Sequence, residues 1–83
     1  MDISKDLRIH IGKRISIIRT KKKLTQQELG FLTGIDTADI SKYESGKINL
    51  TLRTLLKFAV ALQVHPKELF DFELDITKYK IED

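Results

Sequence analysis

Leu24–Gly46, reading LTQQELGFLTGIDTADISKYESG, is the stretch that decides how this chain folds. Thr25-Gln26-Gln27-Glu28 has the form Thr-x-x-Glu, a capping box in which the side chains at both ends satisfy amides left unpaired at a helix start. Leu29 and Leu32 then mark a buried face. Gly34 stands where a left-handed residue closes a helix. Asp36 is a second N-cap, and the helix it opens runs to about Ser45, with Ile40 and Tyr43 as its i, i+3 apolar pair. Gly46 sits just past that end. Only Ile35 and Asp36 separate Gly34 from the second helix body.

Two helices joined this tightly must cross closely. Gly30 offers the small residue such a crossing needs, and Gly34 the positive φ of the turn. Ile35, Ile40 and Tyr43 are the apolar anchors that set the angle of the second helix. The pattern is that of a helix-turn-helix unit. The positions left outward on its second helix are Thr37, Ala38, Ser41 and Lys42. They are small or polar, which suits a surface entering a groove.

Working outward, Leu7, Ile11, Ile15 and Ile18 recur at helical period and predict a first helix from about Ser4 to Lys22. Ser4 is its expected N-cap, and Lys21-Lys22-Lys23 lie at the end that favours cations. A fourth helix opens at Thr51 and buries Leu52, Leu55, Leu56, Ala59 and Leu62. A short fifth helix starts with His65 as cap and Pro66 at its first position. Beyond Asp71 the period changes to two: Phe72, Leu74 and Ile76 alternate with Glu73, Asp75 and Thr77. One β-strand is expected there, with a bulge or turn near Thr77-Lys78.

Composition narrows the function classes. The 83 residues are 41% hydrophobic and 33% charged, which suits one small globular domain and excludes a two-domain enzyme. There is no cysteine, hence no disulfide or thiolate metal site. No apolar run approaches the ~20 residues of a membrane span, and the N-terminus lacks a signal-peptide core, so a cytoplasmic location is expected. His10 and His65 read as a surface residue and a helix cap; with no third ligand, no metal is assigned, and no cofactor. Ser41 and the two histidines form no nucleophile–base set, which leaves an enzyme the least supported reading. Charge is uneven. Arg8–Lys23 holds seven cations and no acid, whereas Asp71–Asp83 holds five acids and two lysines. The basic end suits a polyanion.

Several blocks agree in order and spacing with one family. Leu24–Gly30, Thr33-Gly34-Ile35, Ile40–Lys47, Leu55–Leu62 and Pro66–Phe70 together resemble the Cro/C1-type (xenobiotic-response-element) helix-turn-helix family. That family includes phage repressors, restriction–modification controllers and antitoxins. The resemblance covers about residues 8 to 70 and implies an all-α, five-helix, lambda-repressor-like DNA-binding domain over residues 1–70. Residues 71–83 are then a C-terminal extension carrying the one strand. The resemblance further implies a homodimer on a near-palindromic operator in double-stranded DNA, with the third helix in the major groove.

Carried over by position, Thr37, Ala38, Ser41 and Lys42 face base edges. Gln26 contacts a phosphate and buttresses the reading helix, while Ser45, Lys47 and Asn49 hold the neighbouring backbone. Arg19 and Glu44 match a structural ion pair. Gly30 departs from the family's usual alanine, Leu50 from a common proline, and Thr33 from a usually apolar residue. Lys42 reads guanine or touches phosphate; Thr37 makes a base contact or caps its helix; Ala38 packs on a thymine methyl. Asp39, beside a polyanion, accepts from a cytosine amino group or, in the preferred reading, is structural or repulsive. Arg14 and Lys21–Lys23 act as long-range attraction.

These readings make the chain a sequence-specific transcriptional repressor or autoregulator. The alternatives are an antitoxin, whose tail binds a toxin, a restriction–modification controller, and a protein-interaction module that does not bind DNA. A direct contact with polymerase is the further partner considered. The tail pairs with its copy across a two-fold axis, or folds onto its own helices.

Overall fold

The computed structural model describes residues 2–81, and every regular element among them is helical. α1 spans Ile3–Lys21, α2 Gln26–Thr33, α3 Thr37–Glu44 and α4 Leu52–Leu62, with 3-10 turns at Pro66–Phe70 and Ile76–Lys78. The fifth helix is therefore a single 3-10 element and not an α-helix. His65 does cap it, its Nδ1 accepting from the Lys67 amide at 3.0 Å. Five residues are too few to settle into i→i+4 bonding before the chain turns away at Asp71.

The caps of α2, α3 and α4 form as read. The Thr25 hydroxyl accepts from the Glu28 amide at 3.0 Å, and the Glu28 carboxylate accepts from the Thr25 amide at 2.9 Å. Asp36 accepts from the Ala38 amide and Thr51 from the Thr54 amide. Gly34 has φ 74, the left-handed value its turn requires. A Cβ on Gly30 would stand 2.7 Å from the Ile35 carbonyl oxygen, so α2 and the start of α3 meet at backbone distance. The N-cap of α1 is Asp2, not Ser4. The Asp2 carboxylate accepts from the Lys5 amide at 3.2 Å, and Ser4 lies within the first turn. A carboxylate adds charge–dipole attraction that a hydroxyl lacks.

The core joins Ile11, Ile15 and Ile18 of α1, Leu29 of α2, Ile40 of α3, Leu55, Phe58, Ala59 and Leu62 of α4, and Leu69 of the first 3-10 turn. Two expected stripes shift. On α4, Leu52 and Leu56 are 86% and 52% exposed, while Phe58, outside the expected stripe, is wholly buried. α4 is apolar around more of its girth than its neighbours cover, and periodicity alone could not say which side they take. On α2, Leu32 is half exposed and Thr33 is buried, its hydroxyl donating to the Leu29 carbonyl at 2.8 Å.

The strand expected over Phe72–Ile76 does not form. A lone strand has no ladder to join. The segment instead runs back along one stripe of its own α1. Arg14 donates to the Glu68 carbonyl at 2.8 Å and pairs with Asp71 at 3.9 Å. The Phe72 ring stacks on His10 with centroids 4.8 Å apart. The Tyr79 hydroxyl donates to Asp6 at 2.6 Å, which pushes its ionisation up to about 12. Asp75 caps the second 3-10 turn through Thr77, and those hydrogen bonds hold its carboxyl below the usual range. His10 is thus half-buried and not a free surface residue, and Arg14 makes ordered contacts. The last two residues of the extension lie outside the described residues. No helix among the described residues is long and apolar enough to cross a membrane.

Candidate nucleic-acid interface

α3 buries one face and leaves the other open. Ile40 is fully buried, and Tyr43 meets the Phe58 ring edge-on at 5.4 Å. Thr37, Ala38, Ser41 and Lys42 are all exposed. Their spacing, i, i+1, i+4 and i+5, puts them on one side of the helix, and Ser45 at i+8 extends it. Two hydroxyls, a methyl and an ammonium make a low surface able to donate, accept and touch apolar groups. The Lys42 amine lies 3.9 Å from the Asp39 carboxylate, with both side chains about half exposed. An exposed pair at that distance is worth at most about 1 kcal/mol, so Lys42 can exchange it for another anion.

Behind the open face the helix is braced by a polar clamp. Glu44 accepts from Arg19 Nε at 2.6 Å, from Arg19 Nη2 at 3.1 Å and from Gln26 Nε2 at 3.1 Å. Arg19 Nη1 donates to the Leu24 carbonyl at 2.7 Å. The Glu44 side chain is only 7% exposed. One carboxylate thereby ties the end of α1, the start of α2 and the last turn of α3. Gln26, at the start of α2, thus buttresses the last turn of α3.

The loop after α3 starts from a tight C-terminal cap. The Lys47 amide donates to the Lys42 carbonyl at 2.8 Å and the Gly46 amide to the Tyr43 carbonyl at 3.1 Å, the Schellman pair. Gly46 has φ 76, and a Cβ there would meet Ile9 Cα at 2.8 Å. The Ser45 hydroxyl donates to the Lys42 carbonyl at 3.2 Å. Ser45, Lys47 and Asn49 are exposed on the side where α3 ends.

In the sequence Arg8 is simply one of the seven cations of Arg8–Lys23. The structure uses it as a brace: Nε donates to the Gly46 carbonyl at 3.2 Å and Nη1 to Asn49 Oδ1 at 3.0 Å. Nothing local signals a contact across 41 residues. With Arg14 and Arg19 also engaged internally, part of the basic run is scaffold. Among the described residues there is no cluster of three metal-ligating side chains.

Comparison with known proteins follows the same lines. A helix-turn-helix family model matches residues 15–69. The control protein C.BamHI of Bacillus amyloliquefaciens is 32% identical over 71 residues, 84% of this chain and 88% of that protein. The crystal structure of the restriction–modification controller protein C.AhdI from Aeromonas hydrophila is 42% identical, with a TM-score of 0.74 over 78% of this chain and 97% of that one. The wild-type restriction–modification controller protein C.Esp1396I is 29% identical, with a TM-score of 0.72 over 78% of this chain and 84% of that one.

Proposed function

The chain belongs to the helix-turn-helix family and is a DNA-binding transcriptional regulator, and from that membership we propose that it occupies a near-palindromic operator as a homodimer. The observation that carries this reading is α3 itself: an exposed face of Thr37, Ala38, Ser41 and Lys42 on a helix clamped from behind. α3 enters the major groove, and those four side chains meet base edges. Gln26, Ser45, Lys47 and Asn49 hold the phosphate backbone alongside. Residues 1–70 form the DNA-binding domain and 71–83 a C-terminal extension, whose Asp71, Phe72 and Tyr79 brace α1. The site of action is the cytoplasm, with the chromosome.

The second copy is assigned to α4. Leu52, Leu56 and Val60 are 86%, 52% and 68% exposed and recur every four residues, a ridge along one side of the helix. Leu32 of α2, half exposed, borders it. A ridge with four-residue spacing packs on its own copy across a two-fold axis, burying both. The extension does not compete for this role, because it packs on its own α1. To read both half-sites, such a dimer must hold its two α3 helices about 34 Å apart, one turn of DNA.

The test is selection and sequencing of bound genomic fragments at near-physiological salt. Enrichment of an inverted repeat in a promoter, its own included, is the expected result. Salt-sensitive bulk binding without enrichment would overturn sequence-specific recognition. A narrower, secondary reading draws support from the 42% identity to C.AhdI and the 32% identity to C.BamHI: a controller of a restriction–modification system. Nuclease and methyltransferase genes beside the coding sequence are its expected signature, and their absence leaves the general regulator.

A further inference from the structure

We propose that Arg8 is a positioning residue for DNA binding: it holds the Asn49 side chain so that Nδ2 points outward as a donor to phosphate. The proposal rests on the reading of the loop after α3 as a backbone-contacting segment.

Three observations carry it. Arg8 Nη1 donates to Asn49 Oδ1 at 3.0 Å. A guanidinium has no acceptor, so the Asn49 atom that meets it is the oxygen, and the orientation of the amide follows. The amide is planar, so engaging Oδ1 leaves Nδ2, with its two hydrogens, turned from Arg8. Asn49 is exposed, and Nδ2 donates to no acceptor among the described residues. Finally, the root of the loop is fixed at backbone level. Arg8 Nε donates to the Gly46 carbonyl at 3.2 Å, and Gly46 packs against Ile9, the next residue of α1, with no room for a Cβ. The loop and its outward donor are therefore set before DNA arrives, which spares the ordering cost of binding.

Arg8 has two other conceivable uses, a phosphate contact of its own and a brace for the fold alone, and salt dependence and coupling separate the three. The probe is the tightest duplex recovered by the wild-type protein from a random-sequence library. Affinity is measured against salt for the wild type, Arg8→Ala, Asn49→Ala, the double variant and Asn49→Asp, at a temperature where thermal melts show each folded. Arg8→Ala and Asn49→Ala are expected to weaken binding about tenfold each, the double variant no more than either alone, and Arg8→Ala to leave the salt slope unchanged. Asn49→Asp keeps the acceptor for Arg8 and therefore the fold, but loses the donor; it is expected to bind more weakly than Asn49→Ala.

A double variant whose loss is the product of the single losses overturns the proposal. So does a fall of about 1 in the salt slope of Arg8→Ala, which makes Arg8 itself the phosphate ligand. Lys47→Ala on the same duplex reports the loop reading independently. A loss there with none in Asn49→Ala overturns the positioning role alone, while no loss in either overturns the loop reading with it.

Discussion

α3 and α4 are neighbours in sequence, yet they are held in opposite ways. α4 buries Leu55, Phe58, Ala59 and Leu62 of its eleven residues, and its grip is apolar area. α3 buries only Ile40 of eight. It is fixed by what surrounds it: the Glu44 clamp, the Tyr43–Phe58 ring contact and the close approach of Gly46 to Ile9. The difference has a physical reason. A helix that must offer one whole side to a ligand cannot wrap that side in core contacts, so directional bonds at its end replace area. Hydrogen bonds and ion pairs position well but contribute little net stability, so the stability has to come from helices such as α4.

The largest effect should fall on α4. Phe58→Ala leaves a cavity in the centre of the core and is expected to cost about 4 kcal/mol, read by urea unfolding. Operator affinity in the remaining folded fraction should move far less. A loss below about 1 kcal/mol would mean that the core refills the space and that α4 is not anchored by area.

Glu44→Ala comes next, at about 3 kcal/mol, because it strands Arg19 in a mostly buried place. Unlike the α4 variant, it should lower operator affinity together with stability, since it frees the end of α3, the helix proposed to read DNA. In a double-mutant cycle, Arg19→Ala should add little to it. Full additivity would dissolve the clamp and with it the contrast between the two helices.

Lys42→Ala separates recognition from stability altogether. Unfolding should shift by less than about 0.5 kcal/mol. Discrimination at one operator position should fall by ~1–3 kcal/mol, measured across single-base operator variants. An equal loss on every variant would make Lys42 a phosphate contact and overturn the proposed base reading.

The smallest effect concerns the helix ends. α3 stops at Gly46, whereas α4 stops at Gln63, which holds φ 57 without being glycine. Gln63→Gly relieves left-handed strain at some cost in chain entropy, for a net gain of about 0.5 kcal/mol in thermal unfolding. A loss would show that the Gln63 side chain contributes a contact worth more than the strain.

Much of this was legible from residues alone, for reasons that differ by element. The Thr25–Glu28 box, the Asp36 and Thr51 caps and the Gly34 turn involve neighbours within a few residues, so local chemistry suffices to read them. The open face of α3 follows from 3.6-residue periodicity, because its few apolar residues leave one choice of buried side. The same reasoning misplaced Leu52, Leu56 and Leu32. Where a helix carries apolar residues on several sides, only the position of its neighbours selects the buried ones. The extension failed for a related reason. Alternation at Phe72, Leu74 and Ile76 is compatible with a strand, but a strand needs a partner, and α1 offered His10, Arg14 and Asp6 instead.

The sequence by itself determined the caps of α2, α3 and α4, which side of α3 stays open, and the family to which the chain belongs. Those properties rest on interactions of short range along the chain and on periodicity. The family resemblance also carried the Arg19–Glu44 pair; only the tertiary structure decided that Gln26 joins it, that Arg8 reaches Asn49, that the extension lies along α1, and that Leu52, Leu56 and Val60 remain uncovered. Each of these last depends on which distant segments are brought within bonding distance. That is settled by the packing of the whole core, and no local pattern encodes it.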